Sequence, residues 1–189
     1  MNIDILFFES SFHKKEEFID NQEKFEEYIS THSFEGKDKD LLYLPASMSV
    51  NNNKTLLVGC EDNTKNNKEL LELGYLIGSK LKESCELSIL NFKGEFEPII
   101  LGILLSQYNF DKYQSKTKDK NEITFSNSLE TKGLLDKRDT LFWVKDLINT
   151  PAFDRSPEYF IEHVKAISSN KEIKLEIHDK EWLEKNNFG

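Results

Sequence analysis

The sequence of 189 residues has little cysteine and no long apolar run, and each shortage narrows the class of protein. No stretch approaches the roughly eighteen apolar residues of a membrane span, and the first residues lack the basic and apolar regions of a secretory signal. These features predict a cytoplasmic protein without a membrane partner.

The two cysteines, Cys60 and Cys85, lack CxxC spacing, so we expect free thiols, with a disulfide as the alternative if they face each other.

Basic side chains are outnumbered in the sequence. There are 25 Lys and Arg against 34 Asp and Glu, which leaves a formal net charge of -9. A field of this sign repels phosphate backbones and argues against a nucleic-acid partner. The hydrophobic fraction of 38% is enough for a folded interior, and the length suits one full domain plus part of another.

Motifs of common catalytic and nucleotide-binding sites are also missing. No Gly-x-Ser-x-Gly or Walker sequence occurs. Gly59 follows a strand-like run and allows a phosphate-binding turn, but Cys60-Glu61-Asp62 would place negative charge there. The histidines have no partner at metal-ligand spacing, and we interpret all four as surface or boundary residues: His13, His32, His163 and His178. The sequence therefore predicts no catalytic, metal-binding or cofactor-binding residue in this chain.

Strand-like and helix-like segments alternate over the first 125 or so residues. Short apolar runs predict strands at 3–8, 41–44, 55–60, 86–92 and 122–125. Apolar residues at helical spacing predict helices near 18–29, 66–83 and 96–105, the last apolar on nearly every side and therefore interior. Gly74 and Gly78 lie four residues apart in the second helix, which predicts the close approach of another element. The alternation is typical of an α/β domain with a mixed or mostly parallel sheet.

The last third of the sequence predicts three helices and one strand. A helix over 132–148 ends before Pro151, because a residue that precedes proline is disfavoured in a helix. Ser156 caps the next helix, with Pro157 at its first position. The apolar stripe of that helix, which we expect to be buried, consists of Phe160, Val164 and Ile167. The alternation of apolar and polar residues over 173–178 predicts a half-buried strand, and Asp179 caps a final short helix.

One run in this region is recognisable. The run Lys145-Asp146-Leu147-Ile148-Asn149-Thr150-Pro151-Ala152, then Ser156-Pro157 and then 174–179, resembles the interdomain helix and catalytic-domain entry of leucyl (cytosol) aminopeptidases. The signature residues are Leu147, Ile148, Asn149, Thr150, Pro151, Ser156 and Pro157. Two earlier segments, 55–59 and 102–113, are similar to pieces of the same family's amino-terminal domain. The sequence departs from the family pattern at Phe153, where Asn is usual, and at Val144-Lys145, which replaces Ala-Arg.

The resemblance implies a domain organisation. It implies a macro-domain-like amino-terminal α/β domain over residues 1–125, a connecting segment and helix over 126–150, and the beginning of an incomplete, truncated α/β catalytic domain over 151–189. It also implies a hexamer-forming, cytoplasmic hydrolase that removes amino-terminal residues from peptides with two divalent cations, Zn or Mn.

The family's metal-ligand segments do not occur in this sequence. Ile123-Thr124-Phe125-Ser126 shares only Thr-Phe with one of them. We therefore expect the chain to carry no metal and to be inactive alone. The alternative is a short, non-catalytic binding or assembly module that associates with itself or with a full-length family subunit.

Overall fold

A computed structural model describes residues 1–8, 17–60, 65–92, 94–115, 121–126, 131–169 and 173–188. His13, Glu61 and Asp62 lie outside the described residues. The chain divides into two compact units, Met1–Trp143 and Val144–Gly189. No helix in the described ranges is long and apolar enough to cross a membrane.

The first unit is organised around a sheet of five strands in the described residues. The strands are β1 (Asn2–Phe8), β2 (Leu41–Leu44), β3 (Lys54–Gly59), β4 (Cys85–Ile89) and β5 (Ile123–Phe125). Their order across the sheet is β2-β3-β1-β4-β5. Strand β1 pairs in parallel with β3 and β4, and β4 in parallel with β5, whereas β2 runs antiparallel to β3. The predicted α/β class with a mixed, mostly parallel sheet is confirmed.

Both faces of the sheet are buried, which explains why β1 is apolar from Ile5 to Phe8 on both of its faces. Ile5 faces a cluster that includes Leu73 and Ile77 of α2 (Asn67–Lys80) and Ile103 of α3 (Phe96–Leu105). Its neighbour Leu6 faces the opposite cluster. There it meets Phe25 of α1 (Gln22–Thr31). Neighbouring residues of β1 therefore face hydrophobic clusters on opposite sides of the sheet.

The close approach predicted from the helix glycines is confirmed. A Cβ on Gly74 would overlap the carbonyl oxygen of Ile99 in α3, and one on Gly78 would overlap the hydroxyl of Ser106. From the opposite helix, a Cβ on Gly102 would overlap the carbonyl oxygen of Leu71. Helix α3 is buried on nearly all sides beyond its first turn, as its mostly apolar sequence predicts.

Asp4 is a buried carboxylate in the middle of this apolar framework. Its side chain is only 2% exposed although it lies on β1. The side-chain amides of Asn51 and Asn53, in the turn between β2 and β3, donate hydrogen bonds of 3.3 and 3.4 Å to its oxygens. Asp4 thereby fastens that turn to the central strand.

The regular secondary structure in the described part of the second unit consists of helices. Helix α4 (Lys132–Asn149) begins in the first unit, and α5 (Pro157–Ser168) and α6 (Lys180–Lys185) follow. Asp179 accepts a hydrogen bond of 2.9 Å from the main-chain N–H of Trp182, so the predicted cap of the last helix is confirmed.

Two expectations for this unit are wrong. The stripe of Phe160, Val164 and Ile167 is exposed by 43%, 43% and 38% instead of buried. Residues 173–178 have no regular structure, where the sequence pattern predicts a strand. A strand needs a neighbour to satisfy its main-chain groups, and the described part of this unit contains no strand to pair with.

Candidate functional site

The signature segment ends α4 through the side chain of Thr150. The main-chain N–H and the hydroxyl of Thr150 both donate to the carbonyl oxygen of Asp146, at 2.9 and 2.7 Å. Pro151, which follows, has no N–H with which to continue the helix. Since the Thr150 hydroxyl proton is committed to Asp146, the phenol of Tyr159 at 3.4 Å donates to the Thr150 oxygen. Thr150 therefore joins the end of α4 to the first turn of α5.

The start of α5 follows the predicted cap. After a short 3₁₀ turn at Ala152–Asp154, Ser156 adopts an extended backbone and its hydroxyl accepts a hydrogen bond of 3.3 Å from the N–H of Tyr159. Pro157 occupies the first helical position. A hydrogen bond with Ser156 also lowers the pKa of the Glu158 carboxyl. A negative charge in the first turn of a helix interacts favourably with the helix dipole.

The remaining signature side chains lie mostly at the surface. Thr150 is 1% exposed. Leu147 and Pro151 are half-buried, whereas Ile148, Asn149, Ser156 and Pro157 are exposed. Phe153, which departs from the family pattern, is 82% exposed. The segment is a joint between two helices, and Tyr159, which sequence reasoning missed, is the residue that Thr150 binds across it.

The histidines contact aromatic rings or main chain. The Nδ1 of His32 lies 2.9 Å from the carbonyl oxygen of Tyr28, one turn earlier in the sequence. The rings of His163 and Tyr159 are 4.5 Å apart, and those of His178 and Trp182 stack at 3.7 Å. These contacts agree with the interpretation of surface and boundary residues. His13 lies outside the described residues.

As predicted, Cys60 and Cys85 are not joined in a disulfide, and both are buried. Burial raises the pKa of the Cys85 thiol above its ordinary value; the positive amino terminus lowers this pKa in part, and Glu83 raises it. A buried neutral thiol is a poor nucleophile, because the thiolate is the reactive form. Cys85 is therefore a core residue of β4.

A metal centre needs several donor side chains close together. In the described ranges, no three His, Cys, Asp or Glu side chains come together so that they could hold a metal ion. Asp4, the buried carboxylate, is held by two asparagine amides instead of further carboxylates. The described residues do not fit the pair of divalent cations that the family resemblance implies.

Gly59 has a packing role. A Cβ at this position would overlap the carbonyl oxygen of Lys37, and the Gly59 N–H donates a hydrogen bond of 2.8 Å to the carbonyl oxygen of Asp40. The chain that leads into β2 lies directly against the end of β3. This contact accounts for glycine here without a phosphate-binding turn.

A cavity of about 620 Å³ lies between β5 and α4, and sequence reasoning missed it. Thr131, which directly precedes α4, lines it together with Leu135, Arg138 and Phe142 of the helix. Their spacing of four, three and four residues places them on one helix face. The other wall is residues 121–125, and Gln107 completes the lining. The spacing on α4 is a signal that was present in the sequence, but it does not reveal which strand the face lies against.

Comparison with known sequences finds relatives of this chain among cytosol aminopeptidases. No protein-family profile matches the chain. The chain is 27% identical over 183 residues to a probable cytosol aminopeptidase of Protochlamydia amoebophila, and 28% identical over 174 residues to one of Treponema denticola. These matches cover 85% and 80% of this chain, but only 36% and 35% of those proteins.

Comparison with solved structures finds aminopeptidases whose fold is similar to that of this chain. A tomato leucine aminopeptidase variant gives a TM-score of 0.71 at 15% identity, covering 98% of this chain and 43% of the neighbour. The cytosol aminopeptidase of Coxiella burnetii gives 0.69 at 21% identity, covering 98% and 39%. The bottromycin maturation enzyme BotP in complex with Mn gives 0.65 at 11% identity, covering 89% and 36%.

The sheet and the helix joint thus define an α/β protein with the fold of leucine aminopeptidase domains. The resemblance seen in the sequence is confirmed, and the chain is related to the leucyl (cytosol) aminopeptidase family. It spans little more than a third of the length of the curated relatives named above.

Proposed function

We propose that the chain is the amino-terminal part of a leucyl aminopeptidase-like metallopeptidase that releases amino-terminal residues from peptides. The sequence likeness to two cytosol aminopeptidases covers four fifths or more of this chain and about a third of each relative. Most of such an enzyme would therefore lie outside these 189 residues. In this proposal the chain is inactive alone and contributes folded framework to the enzyme.

The exposed apolar face of the second unit carries the proposal. Phe160, Val164 and Ile167 recur at helical spacing on α5 and are each more than a third exposed. Further large apolar side chains of the same unit are exposed: Ile148, Phe153, Ile173, Ile177, Trp182, Leu183 and Phe188. A stripe of exposed apolar side chains on one helix face is typical of a face that another element covers. We assign that covering to the rest of the catalytic domain, and the alternative of a self-sufficient short module is not favoured.

The chemistry of the proposed enzyme belongs to residues beyond this chain. Two divalent cations, Zn or Mn, would supply an activated water and polarise the scissile carbonyl when bound. The described residues offer no donor cluster for them, so we assign no catalytic step to these residues. The bound Mn of BotP supports Mn as a candidate only by likeness of fold.

The domain organisation follows the same proposal. We assign residues 1–125 to the amino-terminal domain, 126–150 to the connecting segment and helix, and 151–189 to the start of the catalytic domain. We further propose a cytoplasmic location and a hexameric assembly in which the amino-terminal domain helps subunits meet. The support for both is the likeness to cytosol aminopeptidases.

Two preparations test the proposal. An antibody against the first unit captures the native protein from its own cells, and the recombinant 189-residue chain is prepared separately. Both are assayed on leucine amide with added Mn or Zn. We expect hydrolysis from the captured protein, abolished by a chelator, and none from the recombinant chain. Hydrolysis by the recombinant chain, or none by the captured protein, would contradict the proposal.

A further inference from the structure

Strand β5 has one open edge. The carbonyl oxygen of Glu122 accepts a hydrogen bond of 3.0 Å from the Cys85 N–H, and the Ser126 N–H donates one of 2.9 Å to the Leu87 carbonyl oxygen. Main-chain groups of alternate residues in a strand point to the same side. The N–H and C=O groups of Ile123 and Phe125 therefore point away from β4, where the described part of the sheet has no further strand. Such an edge is a template for another extended chain.

The cavity lies along this edge. All residues of β5 line it on one side, and the stripe of α4 lines it on the other. Its volume of about 620 Å³ is within the range of sites that take small ligands and short peptides. The described lining combines apolar side chains with hydroxyl and amide groups, the guanidinium of Arg138 and the carboxylate of Glu122. This mixture suits a peptide backbone with small apolar side chains.

Arg138 is the basic residue of the described cavity lining, and Glu122 is the acidic one. The Arg138 side chain is 26% exposed. Its Nε and one Nη lie 2.8 and 2.7 Å from the same carboxylate oxygen of Asp139. A guanidinium has five N–H donors, so this pair leaves donors for a second carboxylate. Arg138 also lies 5.9 Å from the centroid of the Phe142 ring, within the range of a cation–π contact.

We infer that the cavity between β5 and α4 binds a short extended peptide with a free terminal carboxylate. The peptide adds to β5 as a strand through the main-chain groups of Ile123 and Phe125, and Arg138 receives the carboxylate. Polypeptide is the favoured occupant because its backbone alone matches the alternating donors and acceptors of a strand edge. The inference does not depend on the proposed peptidase activity, because every residue it uses lies in the first unit.

The probe is the tetrapeptide Ala-Val-Thr-Val, used with a free carboxyl terminus and as its carboxyl-terminal amide. Titration into the ¹⁵N-labelled 189-residue chain is followed by amide chemical shifts. We expect saturable changes in the amide chemical shifts of residues 121–126 and of the α4 residues that line the cavity, which are Leu135, Arg138 and Phe142. The peptide amide should bind the unmodified chain ~10-fold more weakly than the free acid does, and the free acid should bind the Arg138→Gln variant more weakly by the same factor. This factor is the size of one lost charge-assisted hydrogen bond. Arg138→Lys should recover part of the affinity.

A matched pair of variants tests the strand edge. Phe125→Pro removes a main-chain N–H that points away from β4, a place where a strand tolerates proline. Phe125→Ala removes the same ring and keeps the N–H. Unchanged shifts on β1 confirm that each variant folds. We expect the proline variant to lose binding and the alanine variant to retain most of it.

Several results would overturn the inference. The first is no shift at 121–126 with millimolar peptide, and the second is equal loss of binding in both Phe125 variants. The third is equal binding of acid and amide forms, which would remove Arg138 from its role. Slow hydrogen exchange of the Ile123 and Phe125 amides without peptide would show that the chain's own residues occupy the edge, and would overturn it as well.

Discussion

Gly74 lies directly against the main chain of Ile99, so that a Cβ on this glycine would overlap the Ile99 carbonyl oxygen. The same crossing has Gly102 against the carbonyl oxygen of Leu71. Helices α2 and α3 therefore meet backbone to backbone, and neither can shift without losing the apolar cluster beneath them. This contact fixes how the two helices cover one face of the sheet.

We predict that Gly74→Ala destabilises the first unit, because the added methyl meets main chain that cannot rotate away. Overpacking of this kind costs roughly 1–3 kcal/mol. Gly133→Ala is the control, since a Cβ there meets nothing within 4 Å, and it should stay within roughly 0.5 kcal/mol of the parent. Urea unfolding followed by circular dichroism measures both. Equal effects of the two substitutions would contradict the close helix contact.

Asp4→Ala should also destabilise the protein. The substitution removes the acceptor of the Asn51 and Asn53 amides and leaves space at a position only 2% exposed. The expected loss in the free energy of unfolding is about 1–3 kcal/mol. Glu86→Ala, which removes an exposed carboxylate from β4, should stay within roughly 0.5 kcal/mol of the parent. An Asp4→Ala midpoint in urea equal to that of Glu86→Ala would show that the turn is held by other contacts.

Local patterns in the sequence predict most helices and strands, because the spacing of apolar residues shows which side chains of each element are buried. The strand at Asn2–Phe8 and the cap at Ser156 are predicted from residues adjacent in the sequence, and the structure contains both. The strand expected at 173–178 is absent because its formation depends on a partner strand that the described part of its unit lacks. The cavity beside Arg138 was not predictable, since only tertiary packing brings α4 alongside β5.

Thr150→Val should loosen the joint between α4 and α5. The valine keeps the shape but removes the hydroxyl that donates to the Asp146 carbonyl oxygen and accepts from Tyr159. Native-state hydrogen exchange should show α5 less protected, by about 1 kcal/mol in opening free energy. Thr150→Ser keeps the hydroxyl and should preserve most of the protection. If valine and serine behaved alike, the hydroxyl would have no part in the joint.

The Cys85 thiol should resist alkylation in the native protein. Burial raises its pKa, so the neutral thiol persists in the folded state at pH values where the unfolded thiol ionises. This contribution to stability is present below about pH 8.5, the ordinary thiol pKa, and is lost as the pH rises through the folded value. Iodoacetamide labelling at pH 8 should be slow in buffer and fast in urea. The Cys85→Ala variant should show a smaller decline in stability above pH 8.5, and an unchanged decline would contradict this role.

The most direct test of the central claim is the intact mass of the native protein. An antibody against the first unit isolates it from its own cells, and mass spectrometry gives the mass of the whole polypeptide. The account predicts a mass well above the 22.1 kDa of this chain, because most of the peptidase and its metal ligands would lie outside these residues. A native mass of 22.1 kDa would contradict it.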